Sequence, residues 1–268
     1  MRSAIFKTFV ITAIFLVTTL AHFGQTTGGE SLRSAQTLIG ETLKYDAKVN
    51  KILRGISVAE LTLTAANAAN HSDLVIKAEA VSKGTLLKIF RYSFLQQYES
   101  TVDAAFRILK TTKYDVQKDR IRDSEAIFDY GQRRVTFMET DPKSRMRPPR
   151  SIASEIGGQM LDMVSAIYYI RLSQLSVGKR FDLSVSDSGL VYKVPVAVTG
   201  REMQKTIFGN VWCFRVEPEI FGPGRLIEQK GKMVMWITDD DLHTPVRSQI
   251  DSSVGKIDIK LKSSMQAK

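Results

Sequence analysis

From Glu41 the chain alternates. ETLKYDAKV (41–49) places Leu43, Tyr45, Ala47 and Val49 on one side, and VAELTLTA (58–65) does the same with Ala59, Leu61, Leu63 and Ala65. SDLVIKAEAV (72–81) continues through Leu74, Ile76, Ala78 and Ala80. A period of two is what a half-buried antiparallel strand requires, because successive side chains point to opposite faces. The polar cluster ANAANHSD between the second and third segments reads as a turn. GTLLKIF, from Gly84, is too densely apolar to alternate and predicts a short helix or a buried crossing; alternation returns from Gln97 through Tyr98, Ser100 and Val102. Residues 106–139 then carry three or four strands, the clearest pair being Ala126–Tyr130 and Arg133–Met138 about Gly131 and Gln132.

Two stretches break the period. TDPKSRMRPPRSIASEIGG (140–158) combines three prolines with the basic residues Lys143, Arg145, Arg147 and Arg150. It predicts a long exposed connection, either simply solvated or docking on an anionic surface. LDMVSAIYYIRL (161–172) predicts the main helix. Asp162 stands where an N-cap belongs, and Val164, Ile167, Tyr168 and Arg171 share one helical face. Strand-like segments then run to the C-terminus: KRFDLSVSD, GLVYKVPVAVTGRE, KTIFGNVWCFRVEPE, KMVMWITDD, TPVRSQIDS and GKIDIKLKS, with turn residues at SDSG (186–189) and FGN (208–210). Evenly spaced strands and one helix point to a mostly β protein. The expected architecture is a single curled antiparallel sheet, a β-roll or half-barrel, wrapped around one main α-helix and forming one domain over 38–264.

The start of the chain changes the picture. Arg2 and Lys7 precede an uncharged run, Thr8–Phe23, followed by small polar residues. This is the pattern of a secretory signal peptide, with small residues at Thr19–Ala21 and a leader of about 1–21. Its 16 residues fall short of a comfortable bilayer span, which leaves an uncleaved anchor as the alternative. Residues 22–37 read as a disordered or linker segment. The expected location is therefore the periplasm or cell envelope, with no transmembrane span once the leader is removed. Net charge is +10, falling to +8 without Arg2 and Lys7. At such a site that charge favours anionic lipids, glycans or envelope proteins over nucleic acid, for which no binding signature is present.

The candidate chemistry is sparse. Cys213, the single cysteine, lies in an apolar strand-like segment and reads as a small core residue. WITDDDLHTPVRSQI holds three aspartates and His243 between two alternating segments. Asp favours turns by bonding its own backbone, and adjacent carboxylates on a strand diverge, so the stretch reads as a tight turn in preference to a metal or acid–base site. Pro245 after it suits the start of an edge strand. Common nucleophile, zinc and phosphate-loop motifs are missing, so no catalytic residue, metal or cofactor is expected.

The order of these segments resembles an exported bacterial family, the domain of unknown function 3108. The features that carry the likeness are GETLKYDAKV with GISVAELTL, KIFRYSFLQQYESTVD, the helix with Asp162, Ser165, Tyr168 and Arg171, VGKRFDLSVSDSGLVYKVPVAVTGRE, and the Asp240-to-Arg247 turn. The resemblance implies one curled β domain around a helix, in the bacterial envelope, and no reaction. Three functions are then open. A non-catalytic binder of a hydrophobic or anionic envelope ligand would use Tyr168, Tyr169 and Arg171, unless Tyr168 is core and Arg171 pairs with a buried carboxylate. A scaffold would bind another protein through a strand edge or the loop bearing Lys143, Arg145, Arg147 and Arg150. A wall- or lipid-acting enzyme would need paired carboxylates.

Overall fold

A computed structural model describes residues 32–49, 55–70, 72–144, 146–252 and 255–266. The expected leader, Arg145, His71 and the 50–54 connection lie outside the described residues. The elements in chain order are β1 (Glu41–Val49), β2 (Ile56–Asn67), β3 (Leu74–Ser82), α1 (Gly84–Phe90), β4 (Phe94–Val102), β5 (Ile108–Gln117), β6 (Arg120–Asp129) and β7 (Arg134–Thr140). They continue as β8 (Arg150–Glu155), α2 (Met163–Leu172), β9 (Arg180–Asp187), β10 (Leu190–Thr206), β11 (Gly209–Pro218), β12 (Gly231–Thr238), β13 (Pro245–Ser252) and β14 (Gly255–Gln266).

All fourteen strands join one antiparallel sheet in the order β8-β7-β6-β5-β4-β3-β2-β1-β14-β13-β12-β11-β10-β9. The chain thus meanders outward from β1 to one edge, crosses by way of α2 to the other edge, and meanders back until β14 pairs with β1. A flat sheet of this width would set its edges roughly 60 Å apart at ordinary strand spacing. Here the edges meet instead. The β9–β10 turn packs on β7 and β8, so closely that a Cβ built on Gly189 would lie 2.6 Å from Phe137 Cβ. The chain between β8 and α2 fills the remaining gap. Ile108 N–H donates to Met160 O, Leu161 N–H to Ser184 O, and Ser186 N–H to Leu161 O. Leu161 makes only an isolated bridge to Val185, so the sheet is curled but not closed by a ladder.

The alternating residues behave as their spacing requires. Leu43 and Tyr45 of β1, Leu63 and Ala65 of β2, and Leu74 and Ile76 of β3 are all buried in the concave core. α2 packs against β3, β4 and β9 and buries Val164, Ala166, Tyr168, Ile170 and Leu172. Burial of Val164, Ile170 and Leu172 contributes about 1.5–3 kcal/mol each. A smaller cluster of Ala47, Val58, Ala59, Leu86 and Tyr92 closes the sheet's end beneath α1.

Several expectations need correction. The connection after β7 is not loop throughout, because Arg150–Glu155 forms β8 on the outer edge of β7. The prolines at 148 and 149 end the loop, and RSIASE then satisfies backbone groups that β7 would otherwise leave unpaired. Two alternatives left open are decided in line with the expectation: residues 106–139 hold three strands, and GTLLKIF is a helix. Pro245 opens β13, but β13 is internal, between β12 and β14; a register shift there accommodates the missing N–H. Part of the supposed linker is structured, since Ala35–Leu38 form a 3-10 helix capped by Ser34, with Leu38 buried.

Gly189 tests the seam. It has φ of +80° and contacts Phe137 and Ile152, whereas Gly178 has φ of +91° with open space around it. Gly189→Ala is expected to cost well over about 1 kcal/mol and Gly178→Ala only about the left-handed strain. Equal losses in urea unfolding would mean that the seam does not hold the sheet's curl.

Candidate functional site

The helix that carries three of the sequence candidates is pinned at both ends. At its start Asp162 forms a capping box with Ser165, accepting from Val164 N at 3.0 Å and Ser165 N at 2.7 Å. The same carboxylate also accepts from Ser100 Oγ and, at 2.8 Å, from Thr111 Oγ1, which ties the helix to β4 and β5. At its other end Arg171 is 1% exposed. Its guanidinium meets Glu41 of β1 in a two-pronged pair at 2.6 and 2.7 Å, and Nε donates to His243 O at 3.1 Å. The ring of Tyr168 lies beneath it, 5.0 Å away. Burial works against the charge on Arg171, but its hydrogen bonds and charge contact with Glu41 outweigh that, and its pKa lies above the ordinary value.

Tyr168 and Arg171 are therefore core residues and not the wall of an open cleft; of the two readings left open above, the buried carboxylate pair is the one found. Tyr169 is half-buried, its ring 6.0 Å from Phe106. The three aspartates make a turn. Asp240 accepts from Thr238 Oγ1, Leu242 N–H and His243 N–H, and His243 takes φ of +45°. His243 Nδ1–H donates to Arg171 O at 2.8 Å, so this turn locks onto the end of the helix. Burial pulls the His243 pKa below its ordinary 6.5. Cys213 is buried, and burial pushes its thiol up to about 12. Lys143 and Arg147 are exposed in the loop after β7, and Lys143 Nζ donates to Asp119 O at 2.8 Å.

Arg150 is the exception among the basic candidates. It pairs with Glu139 across β7 and β8 in the phase that buries Phe137, so it faces the concave side. There it joins groups that sequence reasoning missed. In β6 the phase that buries Ser124, Ala126 and Phe128 also turns Arg122 and Arg120 inward. Opposite them on β5 stand Lys113, Asp115 and Gln117. Arg122 pairs with Glu139 at 2.8 Å. Asp115 accepts from Gln117 Nε2 and Gln96 Nε2, and Asp187 from the hydroxyls of Tyr98 and Ser188. Lys113 Nζ lies 5.0 Å over the Tyr98 ring. Burial holds Tyr98 well above the usual phenol range, with Asp187 adding to the effect.

Beside the helix start this face opens into a polar mouth, of whose basic neighbours Lys113 lines the opening; Arg120 lies farther along β6, close enough to Tyr92 to act on its hydroxyl. A cavity of about 20 Å³ opens at the mouth among Tyr98, Lys113, Ser124, Asp162 and Asp187, enough for a water or one small polar group. Arg120 Nε and Arg122 Nε are buried without a hydrogen-bond partner among the described residues. The signal was present in the sequence: in KTTKYDVQ and RIRDSEAI the phase that should face the core turns polar, with Lys113, Asp115, Gln117, Arg120 and Arg122, which an ordinary half-buried strand does not do. Chemically, the mouth offers cationic donors to an anion, while its carboxylates are engaged by neighbours.

The profile described as "Protein of unknown function (DUF3108)" matches residues 44–262, and the chain belongs to that family. No curated protein matches it in sequence. Among solved structures it is similar to the "Beta-barrel-like Protein of Domain of Unknown Function DUF1849 from Brucella abortus", with a TM-score of 0.56, 11% identity, and 86% of this chain and 98% of that one covered. At that identity the likeness concerns the fold alone. The hypothetical protein CT021 from Chlamydia trachomatis aligns with a TM-score of 0.31 and 7% identity over 89% of this chain and 94% of its own.

Two measurements probe the pinned helix. Glu41→Gln should cost about 3–5 kcal/mol, because it strands the Arg171 charge, while the double replacement Glu41→Leu with Arg171→Met should recover most of that loss. Equally unstable single and double variants would show that the pair supplies net stability. His243 sets a pH dependence. The unfolded chain takes up a proton near 6.5 that the folded chain resists, so stability is full above that pH and declines below it. The Tm should fall from pH 7 to 5, and His243→Asn should flatten that decline.

Proposed function

We propose that this DUF3108 protein is a non-catalytic component of the bacterial envelope, a sheet wrapped around α2 whose polar mouth binds an anionic envelope ligand. One observation carries the reading: Lys113 lines the mouth, Arg120, Arg122 and Arg150 share its concave face, and two of the guanidinium nitrogens on that face are buried without partners among the described residues. A buried donor left unpaired costs about 1–3 kcal/mol, and an incoming phosphate or carboxylate oxygen would recover it. The carboxylates support binding over acid–base work, since Asp115, Glu139 and Asp187 each already accept from a neighbour. The small cavity favours a ligand that presents one anionic group at the mouth over an acyl chain held inside. The signal-like start of the chain and its net charge of +10 support export to a compartment rich in anionic lipid and glycan.

A scaffold reading has its own support. The outer edge of β8 carries no partner strand among the described residues, and the loop with Lys143 and Arg147 leads directly into it. An extended segment of another envelope protein could add to that edge.

Native mass spectrometry of the protein, purified gently from its own envelope fraction, separates these. An added mass that disappears on denaturation is expected for the wild type. It should be lost in Lys113→Met combined with Arg120→Gln, with the Tm little changed, because neither residue forms an ion pair among the described residues. Each charge-assisted contact removed should weaken binding roughly tenfold or more. A bare mass for the wild type, or an adduct indifferent to both substitutions, would overturn the reading; a co-purified protein instead of a small ligand would favour the β8 edge.

A further inference from the structure

β10 and β11 outrun their neighbours. Pairing with β9 ends at Ala197, and pairing with β12 ends at Cys213. Beyond those points the two strands continue as a ribbon in which Met203 pairs with Trp212 and Thr206 with Gly209, turning at Ile207 and Phe208. Its base is held by Trp236 Nε1, which donates to Glu202 at 2.8 Å. Its far end is apolar and bare: Met203, Ile207, Phe208 and Trp212 are each 45–49% exposed. Four large apolar side chains within ten residues thus leave about half of their surface to solvent. Among them stand Lys205, also exposed, and Arg201, whose guanidinium lies 4.6 Å over the Trp212 ring.

The ribbon shares its end of the molecule with the chain's entry. Asp239 N–H donates to Trp212 O at 2.9 Å, and Arg33 donates to Asp240 O and Asp241 O of the same turn at 3.1 and 2.8 Å. The uncharged run Thr8–Phe23 lies ten residues before Arg33, a reach of at most about 35 Å. The polar mouth is at the opposite end of β10, where Ser188 precedes the strand. A second copy of the chain is a poor occupant, because four half-exposed side chains fall far short of the roughly 800 Å² per partner of a stable protein interface.

We propose that the β10–β11 ribbon docks on a phospholipid bilayer. Ile207 and Phe208 enter the boundary of the acyl chains, Trp212 rests at headgroup level, and Lys205 meets lipid phosphates, while Arg201 stays paired with Asp239 over the Trp212 ring. Apolar tips flanked by Trp and basic residues suit this interface, because the ring's polar edge stays wet while its body leaves water. Positive charge on the protein adds attraction to an anionic leaflet. Docking at this end is independent of the ligand at the mouth, and holds the mouth away from the membrane.

Tryptophan fluorescence of the full chain with phosphatidylethanolamine–phosphatidylglycerol vesicles tests this. Trp236 is buried, so Trp212 supplies the lipid-sensitive signal. Its emission should move to shorter wavelength and be quenched roughly twofold by brominated acyl chains, as for a ring at the headgroup boundary. Trp212→Phe should abolish the change. Ile207→Asp with Phe208→Asp should abolish it too while leaving the Tm unaltered. Sedimentation with vesicles alone does not count, since the N-terminal run could tether the chain. Co-sedimentation with Trp212 unquenched would overturn the proposal, as would an emission change that appears without lipid and grows with protein concentration.

Discussion

The pair between Arg171 and Glu41 joins the two halves of the chain. Glu41 opens β1, the strand where the outward and returning meanders meet, and Arg171 lies in the last turn of α2, the element that crosses between the sheet's edges. Both side chains are removed from water, so each would be costly alone, and the geometry leaves each one partner of opposite charge. The contact also recruits the Asp239–His243 turn through His243 O and Leu242 O, and the incoming chain through Arg33 N–H to Leu172 O. A cation at the helix C-terminus is favoured there by the backbone carbonyls it faces. A pair of this kind gains specificity more than net stability, because few alternative positions for the helix would satisfy both charges.

Asp162 does the corresponding work at the other end of the helix. One carboxylate caps two helix N–H groups and binds hydroxyls of β4 and β5, so helix direction and sheet curvature are set by the same group. With the ends held, Tyr168, Ile170 and Leu172 fill the concavity between them. Beside Asp162 the concave phase of β5 and β6 turns from Ala126 and Phe128 to Lys113, Arg122, Arg120 and their partners.

The molecule is polar along β10. At one end of that strand the Ser188–Gly189 turn sits against the seam and the mouth; at the other, the ribbon runs free of β9 and β12. Cationic groups gather near the first and bare apolar groups near the second. A sheet that curls without a closing ladder permits this arrangement. Its edges need only be covered, by Met160–Leu161 and the β9–β10 turn, and two long strands can extend past the rest without disturbing register elsewhere.

The sequence by itself determined what local physics controls. Alternation in ETLKYDAKV and VAELTLTA set strand phases, Asp162 announced the helix start, and Asp240 announced the turn that its own carboxylate closes. Each depends on residues a few positions apart. β8 was obscured because prolines and arginines dominate its surroundings, and the strand exists only because β7 offers it an edge. That Glu41 is the partner of Arg171, 130 residues away, is a fact of register and helix placement that no local pattern encodes. The same holds for the mouth: polar residues in the core phase of β5 and β6 were visible as letters, but only the curl of the sheet, which brings β8 and the β9–β10 turn beside them, made them a site. Hydrogen bonds and periodicity act along the chain. Burial and the pairing of charges are decided across it.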